Sequence, residues 1–251
     1  MKALSHIWLA ACCALPLSGR TGQEGPTTLI EGVARRLPDR EVVYLETHRL
    51  SALSHRVDYR LPDGRLIAEN TLDYRCSQSA PAFEQRDART GDRIGGRWQE
   101  GRYVLSSGGL AREIDATPTL VASSGFDRFV RLHWDTLARG EHVNADFALP
   151  SSLETLQLRI KRFAARGEDT AVAHWFRIEA ASPMLRLFAA PIVVGYDSAR
   201  NLAVYRGVSN LADHDGSALT VEIRYAPPGE NESPIALQRE SANNTCHAAP
   251  P

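Results

Sequence analysis

The run "ADHDGS" contains Asp213, His214 and Asp215, the best metal-ligand candidate in the chain. A calcium loop would continue with acidic or amide ligands and carry a glutamate at its twelfth position, but counting from Asp213 reaches Arg224. Asp-Gly between "YRGVSNL" and "LTVEIRY" is instead the signature of a hairpin turn, and no metal is expected there. Glu69, Asp73, Glu84 and Asp87 are the right residue type for paired-carboxylate glycoside chemistry. They fall on the polar positions of strand-like runs, and aromatic residues make up only 7% of the chain, so sugar-stacking platforms are few. A solvated face explains them better. His133 lies beside the apolar stripe of a helix and reads as a partly buried, satisfied histidine. His174 alternates with apolar residues in "AVAHWF", which places it with Phe176 on a face that turns toward a cavity or a sheet margin.

Other chemistries lack their signatures. "LSSGGL" and "ASSGF" are serine-rich turns without a nucleophile elbow, and neither a dinucleotide fingerprint nor a phosphate-cradling loop is present. No catalytic residue and no cofactor is expected, and the chain reads as non-enzymatic. The net charge is −1 with no basic tail, which argues against nucleic acid as a partner.

The elements that must position any site are mostly strands. In "HRVDYRL", Val57, Tyr59 and Leu61 alternate with Arg56, Asp58 and Arg60, and Pro62-Asp63-Gly64 supplies a tight turn before "RLIAENTLDY". Residues 55–75 are therefore predicted as a β-hairpin. Runs such as "RYVLS", "HVNADFALP", "TLQLRIKRF", "PIVVGY" and "LTVEIRY" raise the total to roughly a dozen strands with short connections, which means an antiparallel meander. Two helices interrupt it. Across 124–139, Phe126, Phe129, Val130, Trp134 and Leu137 recur at helical spacing, with Ser124 and Asp127 resembling a capping box and Gly140 closing the end. A second, short helix starts at Ser182-Pro183 and carries Met184, Leu185, Leu187 and Phe188. The expected fold is mainly β: one many-stranded antiparallel curved sheet or half-open barrel, with the amphipathic helix and the short helix packed on its concave side.

The N-terminus reads as an export signal at 1–19, with Lys2 before the apolar run Ala3 to Leu17. Two endings compete. Leu9-Ala10-Ala11-Cys12 fits a lipobox that would place a lipid on Cys12, whereas cleavage near Ser18 or Gly19 would release a soluble protein. The expected location is the periplasmic face of a bacterial membrane or the soluble periplasm. A flexible leader is expected at 20–40, a β-rich domain at 41–228 and a polar tail at 229–251. Cys76 and Cys246 are the two cysteines beyond the signal, an even number in an oxidising compartment, and a Cys76–Cys246 disulfide is the simplest reading.

The stretches "GFDRFVRLHWDTLARGEHVNADFALPSSLETLQLRIKR", "LRLFAAPIVVGYDSARNLAVYRGVSNL" and "YRLPDGRLIAENTLDY" resemble a family of uncharacterised exported bacterial proteins. In architecture the chain is similar to the periplasmic lipoprotein-carrier (LolA-like) superfamily, whose half-open barrels hold acyl chains under a helical lid. That resemblance implies a groove for an apolar or lipid-like ligand, lined here by Phe126, Phe129, Val130, Trp134, His174 and Phe176. The alternative is an envelope structural or assembly factor. In that case the helix fills the groove and an exposed sheet edge meets a protein partner.

Overall fold

The computed structural model describes residues 27–164, 169–187 and 190–227. The expected export signal, Cys12, Cys246 and the C-terminal tail lie outside these residues. The first half of the chain supplies β1 (Thr28–Arg36), β2 (Val42–Leu50), β3 (Ser54–Arg60), β4 (Leu66–Asp73), β5 (Ala82–Asp87), β6 (Arg93–Gln99), β7 (Arg102–Ser107) and β8 (Leu110–Ile114). After β9 (Leu120–Val121) come two short helices, α1 (Gly125–Leu132) and α2 (Trp134–Ala138). The second half supplies β10 (His142–Leu149), β11 (Glu154–Phe163), β12 (His174–Ala180), β13 (Ile192–Tyr196), β14 (Leu202–Ala212) and β15 (Ala218–Tyr225).

All fifteen strands belong to one sheet, in the order β8-β7-β6-β5-β4-β3-β2-β1-β15-β14-β13-β12-β11-β10-β9. Every neighbouring pair is antiparallel except β9 with β10. The fold is mainly β, as the alternating sequence pattern requires. The hairpin expected at 55–75 is β3–β4, and Gly64 takes the positive φ of its turn at +88°. Residues 28–36, expected in a loose leader, form β1 at the centre of the sheet. Its neighbours are β2 and β15, so the first and last strands of the sheet seal each other. Its irregular apolar spacing hides this: Gly32 occupies an inward position and leaves no side chain to read.

The sheet curls until its two ends overlap. Successive residues of a strand face opposite sides, and here each side has a different apolar partner. Val121, Ala145 and Phe147 pack with the helices, whereas Leu120 and Ala148 pack against Leu72, Phe83, Tyr103 and Leu105. The inner face of β4–β7 thus covers the back of β9–β10. Asn70 donates to Ser123 at 3.0 Å, and the backbone N–H of Ala122 donates to the carbonyl of Ser79 at 3.0 Å, fastening the overlap.

The helix expected over 124–139 is broken in two. The backbone N–H of His133 bonds to the carbonyl of Phe129 at 3.2 Å, while its ring Nδ1 bonds to the same oxygen at 3.0 Å. The backbone of His133 leaves the helical region, at φ −101° and ψ 15°, and the helix resumes at Trp134. Ser124 makes no side-chain cap bond, so the expected capping box does not form. Asp127 instead pairs with Arg131 one turn on, at 2.9 Å. The second helix is a single 3₁₀ turn, Leu185–Leu187.

Candidate functional site: the filled concave face and a buried carboxylate–imidazole chain

The structure brings the six expected groove residues together. Phe129, Val130, Trp134 and Phe176 are 1%, 0%, 4% and 0% exposed and form one cluster with Leu137, Ile178, Val194 and Tyr196. Phe126 packs on its margin. Trp134 meets Phe176, Tyr196 and His174 edge-on, with ring centroids 5.3, 5.4 and 5.1 Å apart. These are the favoured geometries for aromatic pairs. The concave face of β11–β13 is therefore occupied by side chains of α1 and α2. Burial, followed by the charges of Arg162 and Arg200, holds His174 below the ordinary imidazole range. Its Nδ1 has no hydrogen-bond partner among the described residues.

A second group of residues converges on the inner face of β2 and β3, and sequence reasoning missed it. Tyr44, Glu46 and His48 share that face by alternation, and His48 sits diagonally from His55 across the β2–β3 ladder. Glu46 Oε2 accepts from His48 Nε2 at 2.9 Å and from the Tyr225 hydroxyl at 3.0 Å. His48 Nδ1 and His55 Nε2 share a hydrogen bond of 2.9 Å, and His55 Nδ1 lies 3.5 Å from the Tyr74 hydroxyl. Glu46 and His55 are buried, and His48 is largely so.

The chain ends on the helix. The Arg128 guanidinium of α1 stacks 3.4 Å from the centre of the Tyr74 ring. It donates to the carbonyls of Ala52 and Ser51 at 3.0 and 3.2 Å, and to the Gln78 side chain. Arg128 is 5% exposed and its bonding partners are all neutral. Burial lowers the pKa of the guanidinium from its ordinary value. Burial also holds His55 well below the ordinary imidazole range, reinforced by the charges of His48 and Arg128.

Two local features build this arrangement. Gly32 lies opposite Glu46 on one side and Tyr225 on the other, and a Cβ there would come within 2.9 Å of the Tyr225 ring. The missing side chain lets Tyr225 lean across β1 to Glu46. The tight connection Ser51–Leu53 sets the β2–β3 register that places His55 beside His48. The legible signal was the spacing in "YLETHRLSALSH": Glu46 and His48 two apart on a strand, with a second histidine returning on the next one. What the chain can do is hold and pass a proton. If His48 Nε2–H donates to Glu46, its Nδ1 accepts from His55, and His55 Nδ1 accepts from Tyr74. One further proton, taken up by His48, leaves Nε2–H on Glu46 and reverses the other two bonds. His48 Nδ1–H then donates to His55 Nε2 and His55 Nδ1–H to the Tyr74 oxygen, whereas two imidazoliums cannot share the His48–His55 bond.

The other sequence candidates are dispersed. Glu69, Asp73, Glu84 and Asp87 pair separately with Arg56, Arg75, Arg93 and Arg89. Asp213, His214 and Asp215 form the β14–β15 turn, closed by Asp213 N–H to the Ser217 carbonyl at 2.9 Å. Away from the concave face, a shallow cleft of 380 Å³ opens over Gly95, beside Thr71, Glu84 and Arg93. Cys76 lies exposed in the bend after β4.

No protein-family model matches the sequence, and no curated protein matches it. Among solved structures, the chain is similar to a beta-barrel-like protein of a domain of unknown function, DUF1849, from Brucella abortus. The two share 8% identity at a TM-score of 0.46, over 80% of this chain and 95% of the other.

Proposed function

We propose that this chain is an exported bacterial envelope protein that works through protein–protein contacts, with its groove filled by its own helices. The observation that carries this reading is the burial of Phe129, Val130, Trp134 and Leu137 on the concave face, where a lipid-like guest would otherwise lie. The edge strand β8 offers a contact surface. Its residues Leu110–Ile114 are exposed or half-exposed, Leu110 at 68%, and its outer side has no strand partner among the described residues. An open edge of this kind recruits an extended segment of another protein by strand addition. Anchoring through lipid on Cys12 and a Cys76–Cys246 bridge belong to the same proposal, and the N-terminal signal pattern and the even cysteine count support them.

The test is titration with a fluorescent fatty-acid probe. The wild type should show no saturable binding, and Trp134→Ala should gain it, because truncating a buried indole leaves an apolar cavity that stays dry and accepts small apolar guests. Saturable binding by the wild type that Trp134→Ala abolishes would overturn the filled-groove reading in favour of an apolar-ligand carrier.

A further inference from the structure

The outward face of β11 and β12 carries more positive charge than its neighbours balance. Alternation points Arg159, Lys161 and Phe163 outward on β11, and Trp175, Arg177 and Glu179 outward on β12. In the ladder, Arg159 lies opposite Glu179, and Lys161 lies directly opposite Arg177. Lys161 Nζ reaches Glu179 Oε1 at 2.8 Å, and Arg186 Nη1, from the 3₁₀ turn, reaches the same oxygen at 3.5 Å. Four cations therefore surround one carboxylate. Like charges directly opposite each other destabilise a sheet, and the one carboxylate of Glu179 offsets only part of this. The Nε atoms of Arg159 and Arg177 have no hydrogen-bond partner among the described residues. The Arg177 guanidinium rests over the Phe163 ring at 5.2 Å instead.

Beside this cluster the chain exposes apolar side chains. Met184 is 74% and Leu185 45% exposed, immediately before Arg186, whose Nε and Nη2 bind the carbonyls of Ala180 and Ala181 at 2.8 and 2.9 Å. Those bonds hold the turn against the end of β12, so the apolar tip and the cations project from one place. Uncompensated cations alone would suit any anionic partner. The addition of a protruding methionine and leucine selects an interface that is charged at its surface and apolar just beneath. No helix among the described residues is long and apolar enough to cross a membrane.

We propose that this face docks on a bilayer containing anionic lipid, with Arg159, Lys161 and Arg177 over the headgroups and Met184 and Leu185 at the acyl boundary. The proposal is independent of how the groove is filled. It is tested by vesicle co-sedimentation of the full chain carrying Cys12→Ser in every arm, so that no acyl chain contributes. Vesicles of phosphatidylglycerol and phosphatidylcholine in equal parts should bind at least tenfold more protein than phosphatidylcholine alone, and added salt should weaken the binding. Arg159→Gln with Arg177→Gln should weaken it about 30-fold. Met184→Ser with Leu185→Ser should also weaken it; both side chains are exposed, so this pair carries the test even where the arginine changes disturb the sheet. Equal binding to both vesicles, or to neither, overturns the proposal. So does binding to duplex DNA or polyglutamate that matches vesicle binding and survives the Met184 and Leu185 changes.

Discussion

His55→Gln isolates the buried carboxylate–imidazole chain through the pH dependence of stability. His55 is held well below the ordinary imidazole value in the folded protein, by burial first and then by the charges of His48 and Arg128, and it returns to about 6.5 when unfolded. Below that value the unfolded chain binds the proton more readily, so stability is fully present above about pH 6.5 and is lost as pH falls toward the folded value. For one proton the loss between pH 7.5 and 5.5 is about 1.4 kcal/mol, and it continues at about 1.4 kcal/mol per further unit until the folded group itself titrates. The geometry shows the Arg128 part of that cause: a proton on His55 adds a cation beside Arg128, whose bonding partners are neutral. Urea unfolding followed by tryptophan fluorescence at several pH values reads this directly, provided the m-value stays constant. Lys161 beside Glu179 and Arg89 beside Asp87 hold those carboxylates low, so their contributions are lost only below the ordinary carboxylate range, outside this window. His214, raised by Asp213, and His174, lowered by burial, titrate alike in both proteins and cancel in the comparison. The wild type should lose about 1.4 kcal/mol more than His55→Gln over this interval. Equal slopes in the two proteins would refute the assignment.

Gly32→Ala should destabilise the fold by about 1–3 kcal/mol, because its Cβ displaces Tyr225 and leaves Glu46 short of a donor. Tyr225→Phe should cost less when added to Gly32→Ala than alone, a non-additivity that a double-mutant cycle by urea unfolding measures. Gly125→Ala should be the most damaging single methyl on this chain's helices. Its Cβ would lie 2.1 Å from the backbone carbonyl of Ser79, which no rotamer change relieves, and thermal unfolding should show a clear drop in the midpoint.

Strand identity was legible because a period of two is a local property. "HRVDYRL" and "LTVEIRY" each declare their buried face without reference to any partner, and β3 and β15 are where those runs stand. The amphipathic stripe of Phe126, Phe129, Val130 and Trp134 announced in the same way that a helix lays its aromatic face on something. β1 was not legible, because Gly32 erases the inward side chain at the position where Tyr225 crosses. The break at His133 was equally hidden, since neither proline nor glycine marks it in "RLHWDT".

By itself, then, the sequence determined the kind of element at most positions and the apolar composition of the concave face. Only the tertiary structure decided what fills that face. A stripe of phenylalanine and tryptophan suits a lid over a ligand as well as a plug, and the difference lies in whether Phe176, Ile178, Val194 and Tyr196, drawn from β12 and β13, come within contact of it. The polar chain from Tyr225 through Glu46, His48 and His55 to Tyr74 and Arg128 is a tertiary product for the same reason. It gathers residues from the first, middle and last parts of the chain, and their proximity depends on β1 pairing with β15 and on the curl that brings α1 beneath β3. Hydrogen bonding acts over a few ångströms in space, whereas the patterns a sequence displays are set by neighbours along the chain.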